Sequence, residues 1–138
     1  MEYNRQIKMK FIRFFFLFLF WGCALSMSAR NPYGCYKTKY VLFNNNGKTD
    51  ASPSERTIYV SENSISVPQT STGSKRWDVK YLGVINYAKY KNLAFHKFYF
   101  INKKVYCYIS DEKVFQMNGR LYYIIEFDGQ TQIADYYN

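Results

Sequence analysis

Apolar and polar positions alternate with a period of two along most of the chain from Cys35 onward, and almost nowhere do they recur at helical spacing. Cys35 to Phe43 (CYKTKYVLF) puts Tyr36, Thr38, Tyr40 and Leu42 on one face and two lysines on the other, which predicts a first strand with one wet side. Asn44 to Ser54 is polar, with one Pro, and reads as a mobile eleven-residue loop. Arg56–Val60 and Ser64–Val67 flank a compact turn and form a hairpin with Ile58, Val60, Ile65 and Val67 buried. Pro68 to Arg76 has no hydrophobic residue to pin it and predicts a flexible connection. Trp77 to Asn86 places Trp77, Val79, Tyr81, Gly83 and Ile85 on one side, with Gly83 marking a bulge or bend. Tyr87 to Asn92 has room for no more than a helical turn.

The aromatic block Ala94–Phe127 organises what remains, since ten of its thirty-four residues are Phe or Tyr. It resolves into strands over Ala94–Ile101, Lys104–Ser110 and Leu121–Phe127. Asn102-Lys103, the corner Asp111-Glu112-Lys113 and the hairpin dipeptide Asn118-Gly119 separate them. Both faces of Leu121–Phe127 are largely apolar, which predicts a mid-sheet strand or a cavity wall. A turn at Asp128-Gly129 leads to a last strand, Gln132–Tyr137. About eight short strands at roughly ten-residue spacing predict an all-β fold: an antiparallel up-and-down meander closed as a barrel or packed as a sandwich.

Ahead of this domain, Arg5, Lys8, Lys10 and Arg13 precede an uncharged apolar run of twelve residues, Phe14 to Leu25, and then Ser26-Met27-Ser28-Ala29. Charge, apolar run and small residues in that order form a secretory signal peptide, and the run is shorter than the about twenty residues of a spanning helix. The chain therefore divides into a signal segment, 1–29, and one β domain, 30–138, of a secreted or periplasmic protein. Phe20-Trp21-Gly22-Cys23 is similar to a bacterial lipobox, so Cys23 is a candidate lipidation site beside ordinary cleavage near Ser28 or Ala29. Membrane association is expected only through the signal or a lipid anchor.

From Arg30 the chain holds fifteen Lys or Arg against nine Asp or Glu, a net charge near +6. Such a balance suits an anionic envelope surface, although dispersed lysines alternating with apolar residues also describe an ordinary wet sheet face. Cys35 and Cys107 survive cleavage. An even count in an oxidising compartment argues for a disulfide, while the alternation places Cys107 inward with Val105 and Ile109 and Cys35 outward with Lys37 and Lys39.

Gly34-Cys35-Tyr36 at the head of the first strand resembles the Gly-x-Trp signature of the lipocalins, with Tyr36 in the Trp position, and the meander after it is similar to their up-and-down barrel. The resemblance implies a barrel carrying an apolar or amphipathic small ligand. Independently, the period places Tyr36, Trp77, Tyr81, Tyr123 and Phe127 inward, where aromatic bodies with polar tips would touch such a ligand.

Catalytic chemistry finds little footing. His96 is the single histidine, which excludes a multi-His metal site, and no Cys-x-x-Cys, Gly-x-Ser-x-Gly, P-loop or dinucleotide fingerprint is present. A Cys107–His96 nucleophile pair across neighbouring strands competes with a plain buried thiol and an ordinary strand histidine, and the second reading is favoured. The expectation is a non-enzymatic protein with no cofactor, metal or catalytic residue. Lys89 to Lys104 interleaves rings with lysines, as single-stranded nucleic-acid barrels do, but export argues against a nucleic-acid partner. Two functional classes follow: a carrier of a small ligand, and an envelope interaction or structural protein with a filled core that holds a protein, a glycan or an anionic lipid surface.

Overall fold

Every strand of the structure is antiparallel to its neighbours, and the pairings return on themselves. The computed structural model describes residues 29–68, 73–127 and 129–137, so the signal segment and Cys23 lie outside the described residues. The strands are β1 (Gly34–Asn45), β2 (Lys48–Val60), β3 (Ser64–Val67), β4 (Lys75–Tyr87), β5 (Leu93–Phe100), β6 (Val105–Ser110), β7 (Phe115–Met117), β8 (Arg120–Phe127) and β9 (Gln130–Tyr137). One 3-10 turn, Ala88–Tyr90, links β4 to β5. Consecutive strands pair from β1 to β6, β9 pairs β1 and β8, and the contact of β6 with β8 closes a ring of eight strands. That closing contact spans only Tyr108↔Glu126 and Ile109↔Ile125, while β7 stands outside as a short hairpin arm on β8.

An eight-stranded ring is just wide enough for side chains to fill. Tyr36, Ile58, Ile65, Phe98, Phe100, Ile109, Ile125 and Phe127 are each at most 2% exposed and belong to one cluster inside it. A second cluster lies on the opposite face of β5, β8 and β9, where Leu93, Phe95, Ile124 and Ile133 meet Val114, Phe115 and Met117 of the β7 arm. This is why β8 is apolar on both faces: Tyr123, Ile125 and Phe127 look into the ring, while Tyr122 and Ile124 look out against β7.

Two bulges connect the clusters. At Lys39 the register of β1 slips between Thr38 and Tyr40, and at Leu82 that of β4 slips between Tyr81 and Gly83. An extra residue turns the strand over, so side chains two apart end on opposite faces. Tyr36 and Thr38 are buried inside the ring, whereas Tyr40 and Leu42 pack on the outer cluster; Val79 and Tyr81 face in, whereas Ile85 and Tyr87 face out. The bend expected at Gly83 is present, but the single continuous face expected for Tyr36 to Leu42 is not.

The stretch Asn44–Ser54 is corrected more fully: it is a hairpin and not a loop. Asn46 and Gly47 take φ values of 53° and 80°, the positive pair of a tight two-residue turn, and pairing runs from Asn45↔Lys48 to Tyr40↔Pro53. Polarity misled because this arm projects past the ring, with both faces partly wet. Pro53, which lacks an N–H to donate, sits where the register slips.

The disulfide is corrected too. Cys35 and Cys107 are both free, Cys107 buried in the ring and Cys35 on the opposite face of its strand from buried Tyr36. In the folded protein an alkylating reagent is expected to modify Cys35 and reach Cys107 only after denaturation, as read by peptide mass spectrometry; a bridged peptide would contradict this. A second expectation concerns Gly34, whose φ is 148° and where an added Cβ would stand 2.7 Å from the Tyr136 ring and 2.9 Å from the Tyr137 carbonyl oxygen. Gly34→Ala should cost about 2 kcal/mol in urea unfolding from backbone strain and collision, and an unchanged midpoint would show that Tyr136 yields freely.

Candidate functional site

Of the five side chains predicted to line a ligand cavity, Tyr36 meets Tyr123 and Trp77 meets Phe127 in ring packing, while Tyr81 packs on other rings. Tyr36 is fully buried and donates its hydroxyl to the Pro32 carbonyl at 2.6 Å; burial pushes its phenol pKa up, against the opposing pull of Arg30. Trp77 lies between Phe100 and Phe127, with ring centroids 5.9 and 5.2 Å away. Tyr123 meets Tyr36 and Tyr136 edge-on, and Tyr81 packs on Phe98 at 5.0 Å.

Arg30, which reads in the sequence as part of a short leader, fastens this end of the ring. Its guanidinium lies 4.3 Å from the Tyr123 ring centroid, 4.7 Å from that of Tyr136 and 5.6 Å from that of Tyr36. It donates to the Asp111 carbonyl at 2.7 Å, the Ser110 carbonyl at 3.0 Å and the Tyr36 hydroxyl at 2.9 Å. A desolvated guanidinium among rings is worth about 2 kcal/mol per good contact. The Arg30 backbone N–H also donates to Asp111 Oδ1, which accepts in turn from His96 Nε2 at 2.8 Å. In that tautomer His96 Nδ1 accepts the Tyr81 hydroxyl, 2.7 Å away.

Tyrosine, histidine and aspartate thus stand in one hydrogen-bonded line. His96 is fully buried, and the Tyr81 pKa is raised, first by burial and then by Tyr33 and Asp111. Burial likewise pushes the Cys107 thiol pKa up, and both ring nitrogens of His96 are engaged by Asp111 and Tyr81 and not by Cys107. Among the described residues no cluster of three or more His, Cys, Asp or Glu is placed to hold a metal. The Gln132 amide, fully buried beside Ile125, has no hydrogen-bond partner among the described residues, at a cost of about 1–3 kcal/mol.

A concavity lies outside the ring, against the second cluster. It is a groove of about 510 Å³ between the tip of the β1–β2 arm, the 3-10 turn and the start of β9. Leu42, Phe43, Tyr90, Phe115 and Ile124 form its apolar wall, and Asn44, Thr49, Thr131 and Lys89 its polar one. None of the five expected ligand residues lines it.

Glu126 holds the polar wall together. Its Oε1 accepts from the Tyr87 hydroxyl at 2.8 Å and its Oε2 from the Tyr90 hydroxyl at 2.7 Å, with Lys89 paired to Oε2 and Thr131 Oγ1 3.5 Å from it. Burial alone would raise the Glu126 pKa, but the hydrogen bonds from Lys89, Tyr90 and Tyr87 outweigh it and hold the carboxyl below the usual carboxylate range. The same burial and the same carboxylate raise the pKa values of Tyr87 and Tyr90. Tyr87 ends β4 and Tyr90 ends the 3-10 turn, and from these two positions both hydroxyls reach Glu126. Sequence reading missed Arg30, Lys89, Tyr90 and Glu126; the Tyr-x-x-Tyr spacing beside an isolated 3-10 turn was the available signal.

No family model, no curated protein and no solved structure matches the chain.

The Glu126 cluster has a pH signature with a fixed sign. A carboxyl depressed in the folded state binds fewer protons there than when unfolded, so its stabilisation is present above the unfolded pKa, about 4.3, and is lost as pH falls through the folded value. In urea titrations across the acid range, wild type should lose stability relative to Glu126→Gln as pH falls. Parallel curves for the two proteins would show that the cluster carries no such linkage.

Proposed function

We propose that the protein is an exported, non-enzymatic binding protein that carries one small amphipathic ligand in the groove beside the 3-10 turn. The observation that supports this most is the groove itself: about 510 Å³ is the size range of small-molecule sites, and an apolar wall facing a few fixed polar groups is their usual make-up. Phe43, Leu42 and Tyr90 would take the apolar part of the ligand over a floor of buried Phe115 and Ile124, while Lys89, Asn44 and Thr131 would orient its polar end. Lys89 is anchored on Glu126 yet its side chain is 55% exposed, which favours a ligand with an anionic or strongly hydrogen-bonding head. The lipocalin-like opening supports the carrier role, with the ligand on the ring's flank and not in its interior. The charged start and apolar run of the first twenty-nine residues support export, with Cys23 as the point of attachment if the lipobox is used.

A second reading keeps the ring as a filled scaffold that holds another envelope component through its surface, and the packed interior favours it. The two separate experimentally. Anilinonaphthalene sulfonate, an aromatic anion with an apolar body, should bind the folded protein in a 1:1 ratio. Phe43→Ala, at a residue 44% exposed, should weaken it about tenfold, the loss expected for a partly buried aromatic face, with little change in melting temperature. No saturable binding of the probe would favour the filled scaffold. Binding unaffected by Phe43→Ala but lost in Tyr123→Phe would return the ligand to the ring interior.

A further inference from the structure

The outer faces of β5 and β6 carry a row of tyrosine rings on the opposite side of the sheet from the ring core. Tyr99 pairs across the strands with Tyr106, their centroids 5.3 Å apart; Tyr106 lies 6.2 Å from Tyr108, and Tyr108 stacks on Tyr87 at 4.2 Å. Tyr106 is 44% exposed. Lys97 Nζ stands 4.2 Å from the Tyr106 ring centroid and 5.8 Å from that of Tyr108, and among the described residues no carboxylate pairs with it.

A cleft of about 180 Å³ opens beside this row, lined by Tyr106, Tyr108, Glu126, Gln130, Thr131 and Lys89, with Tyr108 and Glu126 side by side across the β6–β8 pair. Ring faces beside a carboxylate, an amide, a hydroxyl and an ammonium group combine the two contacts a pyranose needs: a surface for its C–H face and partners for its hydroxyls. Lys97 adds a cation over the Tyr106 ring, with no carboxylate paired to it among the described residues. From Arg30 onward the chain carries a net charge near +6.

We propose that this cleft binds one sugar residue of an acidic polysaccharide, with the pyranose ring on Tyr106 and its carboxylate or sulfate at Lys97. Glu126 argues for a glycan over a nucleic acid. Among the described residues its Oε1 accepts a hydrogen bond from Tyr87 alone, whereas Oε2 is contacted by Tyr90, Lys89 and Thr131. A sugar hydroxyl can donate to that oxygen, whereas a phosphodiester has no proton to give. The small size and mixed polar lining of the cleft fit a single ring better than acyl chains.

The test uses the folded protein and tetragalacturonic acid in isothermal titration, with neutral galactose oligosaccharides, a ten-nucleotide oligothymidylate and phosphatidylglycerol vesicles as comparison ligands. The expected result is saturable binding of the uronate oligomer, at least tenfold tighter than of the neutral sugars. Tyr106→Ala should weaken it roughly tenfold, Tyr106→Phe should retain it, and Lys97→Met should remove the preference for charge. Tyr106 and Lys97 do not line the larger groove, so these outcomes stand apart from those of Phe43→Ala. Melting curves confirm that each variant is folded, and Tyr99→Ala provides a second probe of the row if Tyr106→Ala unfolds. Absence of uronate binding, binding unchanged by Tyr106→Ala, or tighter binding of the oligothymidylate or the vesicles would each overturn the proposal.

Discussion

Two β-bulges are the constraint on which this structure turns. A ring of eight strands encloses one narrow core, but β1, β2 and β4 are twelve or thirteen residues long and run past it. Slipping the register at Lys39 and at Leu82 turns each strand over at the point where it leaves the ring. The same strand then feeds an inner cluster with one half and an outer cluster with the other. Without those extra residues Leu42 and Ile85 would lie on the wrong face, and the outer cluster would lose part of its packing.

The outer cluster turns a scaffold into a surface with shape. It seats the β7 arm and the 3-10 turn, and between them and the β1–β2 tip it leaves the groove. Glu126 stands where the groove and the smaller cleft meet: Lys89, to which it is paired, and Thr131 line both. A charge drawn partly out of water is tolerated because hydroxyl donors and an ammonium group face it together. The same arrangement fixes Tyr87, Tyr90 and Lys89 in place, so the polar wall is set before any ligand arrives.

The opposite requirement is met at Arg30. There the ring's end is closed by a guanidinium whose donors go to carbonyls and a phenol and whose faces meet tyrosine rings. Asp111 ties that residue to His96 and through it to Tyr81, so the residues before β1 are joined to β4, β5 and the end of β6 by one hydrogen-bonded chain. Ionisable groups are thus drawn into one hydrogen-bonded chain at this end of the ring.

The sequence by itself determined the all-β class, the antiparallel order, most strand positions and the inward turn of Tyr36, Tyr81, Tyr123 and Phe127, because alternation with a period of two is a local property that burial on one face enforces. Tertiary structure decided the rest. A bulge reverses the faces without altering the alternation, so Tyr36 and Tyr40 read alike yet belong to different cores. The polar Asn44–Ser54 stretch read as a loop because it lacks apolar alternation of its own, and its pairing comes from an Asn-Gly turn that folds it back onto the end of β1. Arg30, Lys89, Tyr90 and Glu126 carry no local signature of their roles, since each acquires its partners only when segments up to eighty-one residues apart in the chain are brought together. The groove was illegible for the same reason: it belongs to no element, and exists only as the space that three of them leave when the ring closes.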